Sequence, residues 1–336
     1  MAGILGAGMY IPLRRVALTE ISKAWGNEDI PGEISVAGLD EDLFTMAVSA
    51  GRGALQYSNI EPDRIGIIYV CTGTASKSPI ASRLAFALGA NSETRVMDLG
   101  LSARSTTQAI LCCSDVVRAG SAKYGIVVGV DNPLPEPGSV DEMSWGAAAA
   151  AVVIGSEGMA FSIAGAKSCS SAFTERWTVP GAQFQRQTAF PRFTRDLGYL
   201  HHSSSAGSSL MTSLKIKPED LSVVILQNSV VADRAAKAMN IPQGKVLRSE
   251  SGKAFGDTGC AAVLLDLVES SSRVKGGDKV LMVSYGIGGS DAICLVAEKP
   301  ENLKDSAIRL AKFRNDKTLI DYATLLRLRR IIGPAH

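Results

Sequence analysis

Aromatic residues are scarce in this 336-residue chain; Phe, Tyr and Trp together make up 6%. That shortage argues against base-stacking platforms for single-stranded nucleic acid. An excess of one charge is lacking too. Thirty-five basic residues face 33 acidic ones, a formal net charge of +2, so no electrostatic capture of nucleic acid is expected. Histidine occurs three times, at His201, His202 and His336. The six cysteines, Cys71, Cys112, Cys113, Cys169, Cys260 and Cys294, form no CxxC pair, which excludes a zinc ribbon or a thioredoxin-type motif. They read as reduced, buried thiols of a cytoplasmic protein. The most apolar run, residues 147–154, is far short of the ~20 residues a bilayer span requires, so no membrane association is expected. The opening Met1-Ala2-Gly3-Ile4-Leu5 has no basic region before a long apolar one, so no signal peptide is expected. No metal-ligand set, P-loop or dinucleotide fingerprint occurs; Gly6-Ala-Gly8 runs on to Pro12 rather than into a helix.

What is present is an ordinary globular composition, 46% hydrophobic and 20% charged. The length suits one large α/β unit or two fused halves. Strands and helices alternate along it. Residues 3–11 form a Gly-rich apolar strand stopped by Pro12. Residues 40–57 carry Leu43, Met46, Ala47, Ala50, Ala54 and Leu55 at helical spacing. The β-branched run 65–72 reads as a strand buried on both faces. A helix over 79–88, a strand over 96–99, a helix over 105–119 and strands over 124–130 and 147–154 follow. The second half repeats this order with strands at 161–166, 223–226 and 245–247, and helices at 197–214, 231–239 and 258–268. An antiparallel pair, 279–284 and 291–297, closes it. The repetition suggests a duplication, with boundaries at 1–156 and 157–299. A basic tail, 300–336, follows, in which Ile320-Asp-Tyr-Ala-Thr-Leu-Leu-Arg-Leu-Arg-Arg-Ile-Ile332 mixes an apolar stripe with arginines. It is read either as a surface helix packed on the body or as a docking element for a subunit or an anion.

Several blocks resemble the thiolase superfamily, in particular archaeal-type 3-hydroxy-3-methylglutaryl-CoA synthases and ketoacyl synthase III-like proteins. They are Met9-Tyr-Ile-Pro12 with Asp40-Glu-Asp-Leu-Phe-Thr-Met-Ala-Val48, then Arg192-Phe-Thr194 with Tyr199-Leu-His-His202, and Lys217-Pro-Glu-Asp-Leu221. Gly256-Asp-Thr-Gly259, Ser284-Tyr-Gly-Ile-Gly-Gly-Ser-Asp-Ala292 and Ile320-Asp-Tyr-Ala323 complete the set, in order and over nearly the whole chain. The resemblance implies an α/β thiolase fold: two duplicated βαβαβαββ halves in a five-layer αβαβα sandwich.

It also implies a chemistry, an acyl-cysteine formed at a helix N-terminus, assisted by a His and a Glu. Each matching slot holds something else. Counting from Asp98, the cysteine slot falls on Ala103; the histidine slot falls on Gln227, with the register open by one; the glutamate slot falls on Gly73. A methyl cannot attack a thioester, and an amide cannot shuttle a proton near neutral pH. Replacement nucleophiles are weakly placed. Ser102 sits one position early on the turn without an obvious base, and Cys71 lies at a strand end without a helix dipole or a cation. Asp257 matches a family position often held by Asn; it reads either as a base for direct transfer or as the N-cap of a helix from Thr258. His201 and His202 match a non-catalytic helix and read as surface or packing residues. Gly6, Gly8, Gly256, Gly259, Gly286, Gly288 and Gly289 match loops where the family brings backbone to the pantetheine and the acyl carbonyl. Of these, the loop at 286–289 could form a donor pocket without a nucleophile.

The expectation is therefore a catalytically degenerate, synthase-like subunit, a homodimer pairing strands across a two-fold axis. By analogy with archaeal assemblies it would sit with a thiolase and a zinc-ribbon/OB-fold acyl-CoA-binding subunit. Coenzyme A or acyl-CoA is the one ligand implied, held without a covalent bond. Two alternatives remain open: an active CoA-dependent acyltransferase or synthase of non-cysteine mechanism, and an acyl-CoA-binding regulatory homodimer.

Overall fold

The computed structural model describes residues 1–333 apart from 75–77, 178, 180–181, 188–190 and 228. His336 lies outside the described residues. Among them, nine strands form one hydrogen-bonded sheet, labelled here in chain order. They are β1 (Gly3–Tyr10), β2 (Ile65–Thr72), β3 (Arg95–Gly100), β4 (Tyr124–Asp131), β5 (Ala148–Gly155), β6 (Phe161–Ser170), β7 (Leu221–Leu226), β8 (Lys279–Gly286) and β9 (Gly289–Ala297). Their spatial order is β7-β8-β9-β6-β1-β5-β4-β2-β3. The join is narrow: β1 pairs with β6 only through Gly3↔Ser162 and Ile4↔Phe161. On either side of it the same arrangement repeats. β2 runs parallel to β3 and β4, and β5 runs antiparallel between β4 and β1. Likewise β7 runs parallel to β8, and β9 runs antiparallel between β8 and β6. The counterpart of β3, expected over 245–247, is reduced to a single bridge, Val224↔Val246. A tight 3-10 turn, Gln243–Lys245, takes up the residues before it.

The continuous apolar run in β2 is explained by what covers it. Ile67, Tyr69 and Cys71 face the inner core, while Ile68 and Val70 face the outer one, the two-residue period of a strand covered on both sides. The inner core is built on two helices, α3 (Ser105–Arg118) and α6 (Ala262–Ser270). Ile110 and Cys113 of α3 meet Leu264 and Leu267 of α6, with Val152 from one half of the sheet and Met282 from the other. Helix α6 buries Val263, Leu264, Leu265, Leu267 and Val268 on all sides, as a helix between two sheets must. The outer helices are α1 (Leu43–Ser58) and α2 (Ala81–Leu88) on one flank, α4 (His201–Leu214) and α5 (Ser229–Ala238) on the other. The result is the five-layer thiolase fold.

Helix α1 starts where Asp42 accepts the Thr45 N–H at 2.8 Å and Thr45 accepts the Asp42 N–H at 2.9 Å, a reciprocal cap. Gly6 and Gly8, expected in ligand-facing loops, lie instead inside β1. A Cβ on Gly8 would strike the Ala54 nitrogen of α1, so these glycines serve strand–helix packing. The tail forms α7 (Lys304–Asn315), a two-residue strand, Thr318–Leu319, and α8 (Tyr322–Leu328), all packed on the body. Ser306 donates to Ala7 O at 2.6 Å, and Arg15 donates to Phe313 O at 3.1 Å. Strand β3 is the exposed edge; Met97 is 49% exposed, and Phe86 and Leu101 beside it are 89% and 59% exposed. No helix among the described residues is long and apolar enough to cross a membrane.

Candidate functional site

Between β3 and α3 the chain turns through Leu101-Ser102-Ala103-Arg104. Leu101 holds φ of +72°, a conformation that costs a non-glycine residue about 1 kcal/mol. Its N–H is pinned to Thr72 O at 2.8 Å, and Ser105 N–H to Ser102 O at 3.0 Å. Ala103 thus sits at the N-terminal mouth of α3. The β8–β9 hairpin covers it. Gly288 and Gly289 take φ of +80° and +147°, which suits glycine alone. Gly286 answers to a different need. A Cβ there would strike the Ser102 hydroxyl and lie 3.1 Å from the Ala103 nitrogen. From the third side comes Gly73, whose Cβ position would be 3.8 Å from the same nitrogen. Gly73, Ala103 and Gly286 therefore converge on one point.

Gln227, at the end of β7, joins through a neighbouring turn. Its Nε2 donates to Gly259 O at 3.0 Å, and its Oε1 is buried without a partner. The next residue, Cys260, sends its thiol to Ser102 O at 3.4 Å. Asp257 does not cap an α-helix from Thr258 as expected. Its Oδ1 accepts the Gly259 N–H at 3.0 Å, closing a local turn, and α6 begins only at Ala262. Gly259 takes φ of +56°, and the residues from there to Ala261 form a 3-10 turn that leads into α6.

Replacement nucleophiles fare no better in place. Cys71 is fully buried; its thiol donates to Ser105 O at 3.4 Å, and burial pushes its pKa far up. A thiol held neutral is a poor nucleophile, so Cys71 is set aside. Burial does the same to Cys260. Ser102 donates to Ile287 O at 3.4 Å, a carbonyl that cannot take its proton. What the turn does offer is donors: the N–H groups that open α3, in a position to meet a carbonyl oxygen.

Two buried carboxylates brace this point, and sequence reading missed both. Asp131, at the end of β4, accepts from Thr72 OH at 2.9 Å, Thr74 N–H and OH at 2.8 Å each, and Cys260 N–H at 2.7 Å. Burial raises its pKa, and those four donors pull it back. Asp291, fully buried in β9, accepts from Ser168 OH at 2.6 Å, Thr107 OH at 2.9 Å and the Gln108 amide. Arg104 lies 3.4 Å from it and donates to Gly288 O at 3.1 Å and Ser170 Oγ at 3.0 Å, tying the hairpin to α3. On the other flank His202 bridges Gly198 O at 2.6 Å and Ser171 Oγ at 2.8 Å, and Ser171 N–H reaches Gly288 O. His201 is exposed. The one sequence signal for the carboxylates was an aspartate inside an otherwise apolar strand, a residue seldom buried without partners.

The chain is 31% identical to the hydroxymethylglutaryl-CoA synthase of Pyrobaculum neutrophilum, over 98% of its own length and 97% of that protein's. It is 32% identical to the one from Methanocaldococcus jannaschii, over 99% of each. It belongs to the hydroxymethylglutaryl-CoA synthase family. The resemblance read from the sequence blocks holds. Solved structures agree on the fold: an HMG-CoA synthase complexed with CoA superimposes with a TM-score of 0.85 at 16% identity, covering 97% of this chain and 89% of that one. MvaS in complex with 3-hydroxy-3-methylglutaryl coenzyme A gives 0.84 at 16%, covering 99% and 93%. The 3-oxoacyl-[acyl-carrier-protein] synthase III of Aquifex aeolicus gives 0.79 at 21%, covering 88% and 100%. No family model matches the chain.

Proposed function

We propose that this member of the acyl-CoA synthase and acyltransferase family is a non-catalytic subunit. It binds an acyl-CoA thioester without taking the acyl group, and steadies the site of a catalytic partner. The observation that carries this reading is the convergence of Gly73, Ala103 and Gly286, joined by Gln227 through Gly259. That point offers backbone donors at the start of α3, with the chain itself packed closely around them at Gly286. Among the described residues the matched positions there hold no thiol and no imidazole, and the Ser102 hydroxyl beside them donates only to a backbone carbonyl, Ile287 O; groups that act as a unit lose their effect when the nucleophile is gone. The bound ligands of the HMG-CoA synthase and MvaS structures, CoA and 3-hydroxy-3-methylglutaryl coenzyme A, indicate the ligand class.

The partners in this reading are a second copy of the chain, a thiolase and a zinc-ribbon/OB-fold acyl-CoA-binding subunit, working together in the cytoplasm. The apolar free edge of β3 supports the homodimer, since an exposed edge strand with large apolar side chains invites pairing. Six unpaired cysteines suit a reducing compartment. The test is to incubate the purified chain, alone, with acetyl-CoA and acetoacetyl-CoA. The expected result is binding by calorimetry with no product and no adduct. Product formation abolished by Ser102→Ala or Asp257→Asn would instead establish a non-cysteine enzyme. Co-purification with a thiolase from native extract separates the complex from a free-standing regulatory dimer.

A further inference from the structure

Residues 317–329 lie far along the chain from the site, yet an unbroken set of contacts joins them. Its hub is Glu142, fully buried on the loop between β4 and β5. Glu142 accepts from Tyr322 OH at 3.1 Å, from Trp25 Nε1 at 3.2 Å and from Gly138 N–H at 2.7 Å, and lies 3.8 Å from Arg329. Trp25 Nε1 also donates to Tyr322 OH at 2.9 Å. Two residues on, the same loop is stitched to the site. Asp257 N–H donates to Ser144 O at 2.6 Å, and Gly146 N–H returns to Asp257 O at 3.0 Å. Asp257 holds Gly259, Gly259 holds Gln227, and Cys260 holds Asp131.

We propose that residues 317–329 form a releasable strap whose attachment at Glu142 fixes the turn at 256–260, so that release of the strap loosens the site. Three observations make it releasable. Helix α8 spans seven residues, too few to persist off the body, so detachment is an order–disorder step. Its neighbouring strand is two residues long, paired through Thr318↔Arg14 and Leu319↔Arg15, and the Lys317–Glu33 ion pair beside it, at 2.7 Å, is exposed on the lysine side. The strap's one fully buried side chain, Leu325, enters a satellite cluster with Val16, Leu18, Ile21, Ile34 and Val36, separate from the three main cores. Opening it therefore leaves those cores intact, the mark of a local rather than a global transition. The anchor is also imperfect. The Arg329 guanidinium is buried, its Nη1 has no hydrogen-bond partner, and burial lowers its pKa to about 10. A desolvated cation with a carboxylate only at ion-pair distance recovers little of its hydration.

Amide hydrogen exchange on the full chain tests this without any ligand. Leu325→Ala weakens the strap, and Tyr322→Phe removes one hydroxyl as a milder variant should the first fail to fold. The expected result is exchange at least ~10-fold faster in α8, in 138–146 and in 256–260, with α1 and α3 unchanged. Faster exchange in α8 with 256–260 unchanged would overturn the coupling. Acceleration of α1 and α3 to the same degree, or of no segment in either variant, would overturn the strap itself.

Discussion

The turn that carries Ala103 and the carboxylates that brace it follow opposite rules. At the turn, every position matched to a reactive group in the family holds a small or neutral side chain: a hydrogen at Gly73, a methyl at Ala103, an amide at Gln227. A few ångströms away the chain buries charge at full cost. Asp131 has four donors; Asp291 has three and an arginine. Buried carboxyl groups are expensive unless their oxygens find donors, and both find several here. The contrast separates two layers: small side chains packed at the turn, and hydrogen-bonded acids that hold the segments around it. The brace holds the hairpin, the α3 mouth and the turn at 256–260 in place whether or not a nucleophile sits among them.

The largest effect is expected at the brace. Asp291→Ala strands Arg104 and three other donors, and denaturant titration is predicted to show a loss of about 3–5 kcal/mol. A loss below 1 kcal/mol would mean the network is not a support. The free edge comes next. In the proposed homodimer, Met97→Lys places a further charge on the exposed β3 edge, and sedimentation is predicted to show weaker self-association than the parent's. The expected weakening is on the order of 100-fold, about 3 kcal/mol. An unchanged dimer would place the contact elsewhere.

A smaller, pH-dependent effect belongs to Asp266 on α6. Burial first, then Glu269 and Asp257, raise its pKa to about 7, against the pull of the Ser249 hydroxyl. The folded state thus holds this proton more tightly than the unfolded state. The stability it contributes is complete below about pH 4, the unfolded carboxylate value, and is lost as pH rises through about 7. Asp266→Asn should flatten the decline of the urea midpoint between those values. A parent whose midpoint does not fall over that range would contradict the assignment. The smallest effect is at the slot. Gln227→Leu gives up one hydrogen bond and an orphan acceptor together, so stability is predicted to change by less than about 1 kcal/mol.

The frame of the fold was legible because it is written in repetition. Continuous apolar runs such as 65–72 mark strands covered on both sides, and the three-to-four spacing from Leu43 to Leu55 marks α1. The turn before α3 was legible because Ala103 follows Asp98 at a fixed count, and the structure places it at the helix mouth. What could not be read depends on contacts made across the chain. Asp131 and Asp291 are single acids in apolar strands, and nothing local says which distant hydroxyls meet them. The helix Leu18–Trp25 and the helix Glu250–Phe255 are short segments stabilised by their neighbours. The strand expected at 245–247 has the right residues but only one bridge to hold it. The role of Gly6 and Gly8 was misread because a glycine gives no hint whether a ligand or a helix approaches it.

The central question is whether the chain, with a methyl group at Ala103 at the mouth of α3, can hold an acyl group covalently. Intact mass spectrometry of the parent and of Ala103→Cys, each incubated with acetyl-CoA at neutral pH, asks this directly. The parent is predicted to keep its mass, and the variant, with a thiol at the helix N-terminus, to gain one acetyl group. An acetylated parent would contradict the account.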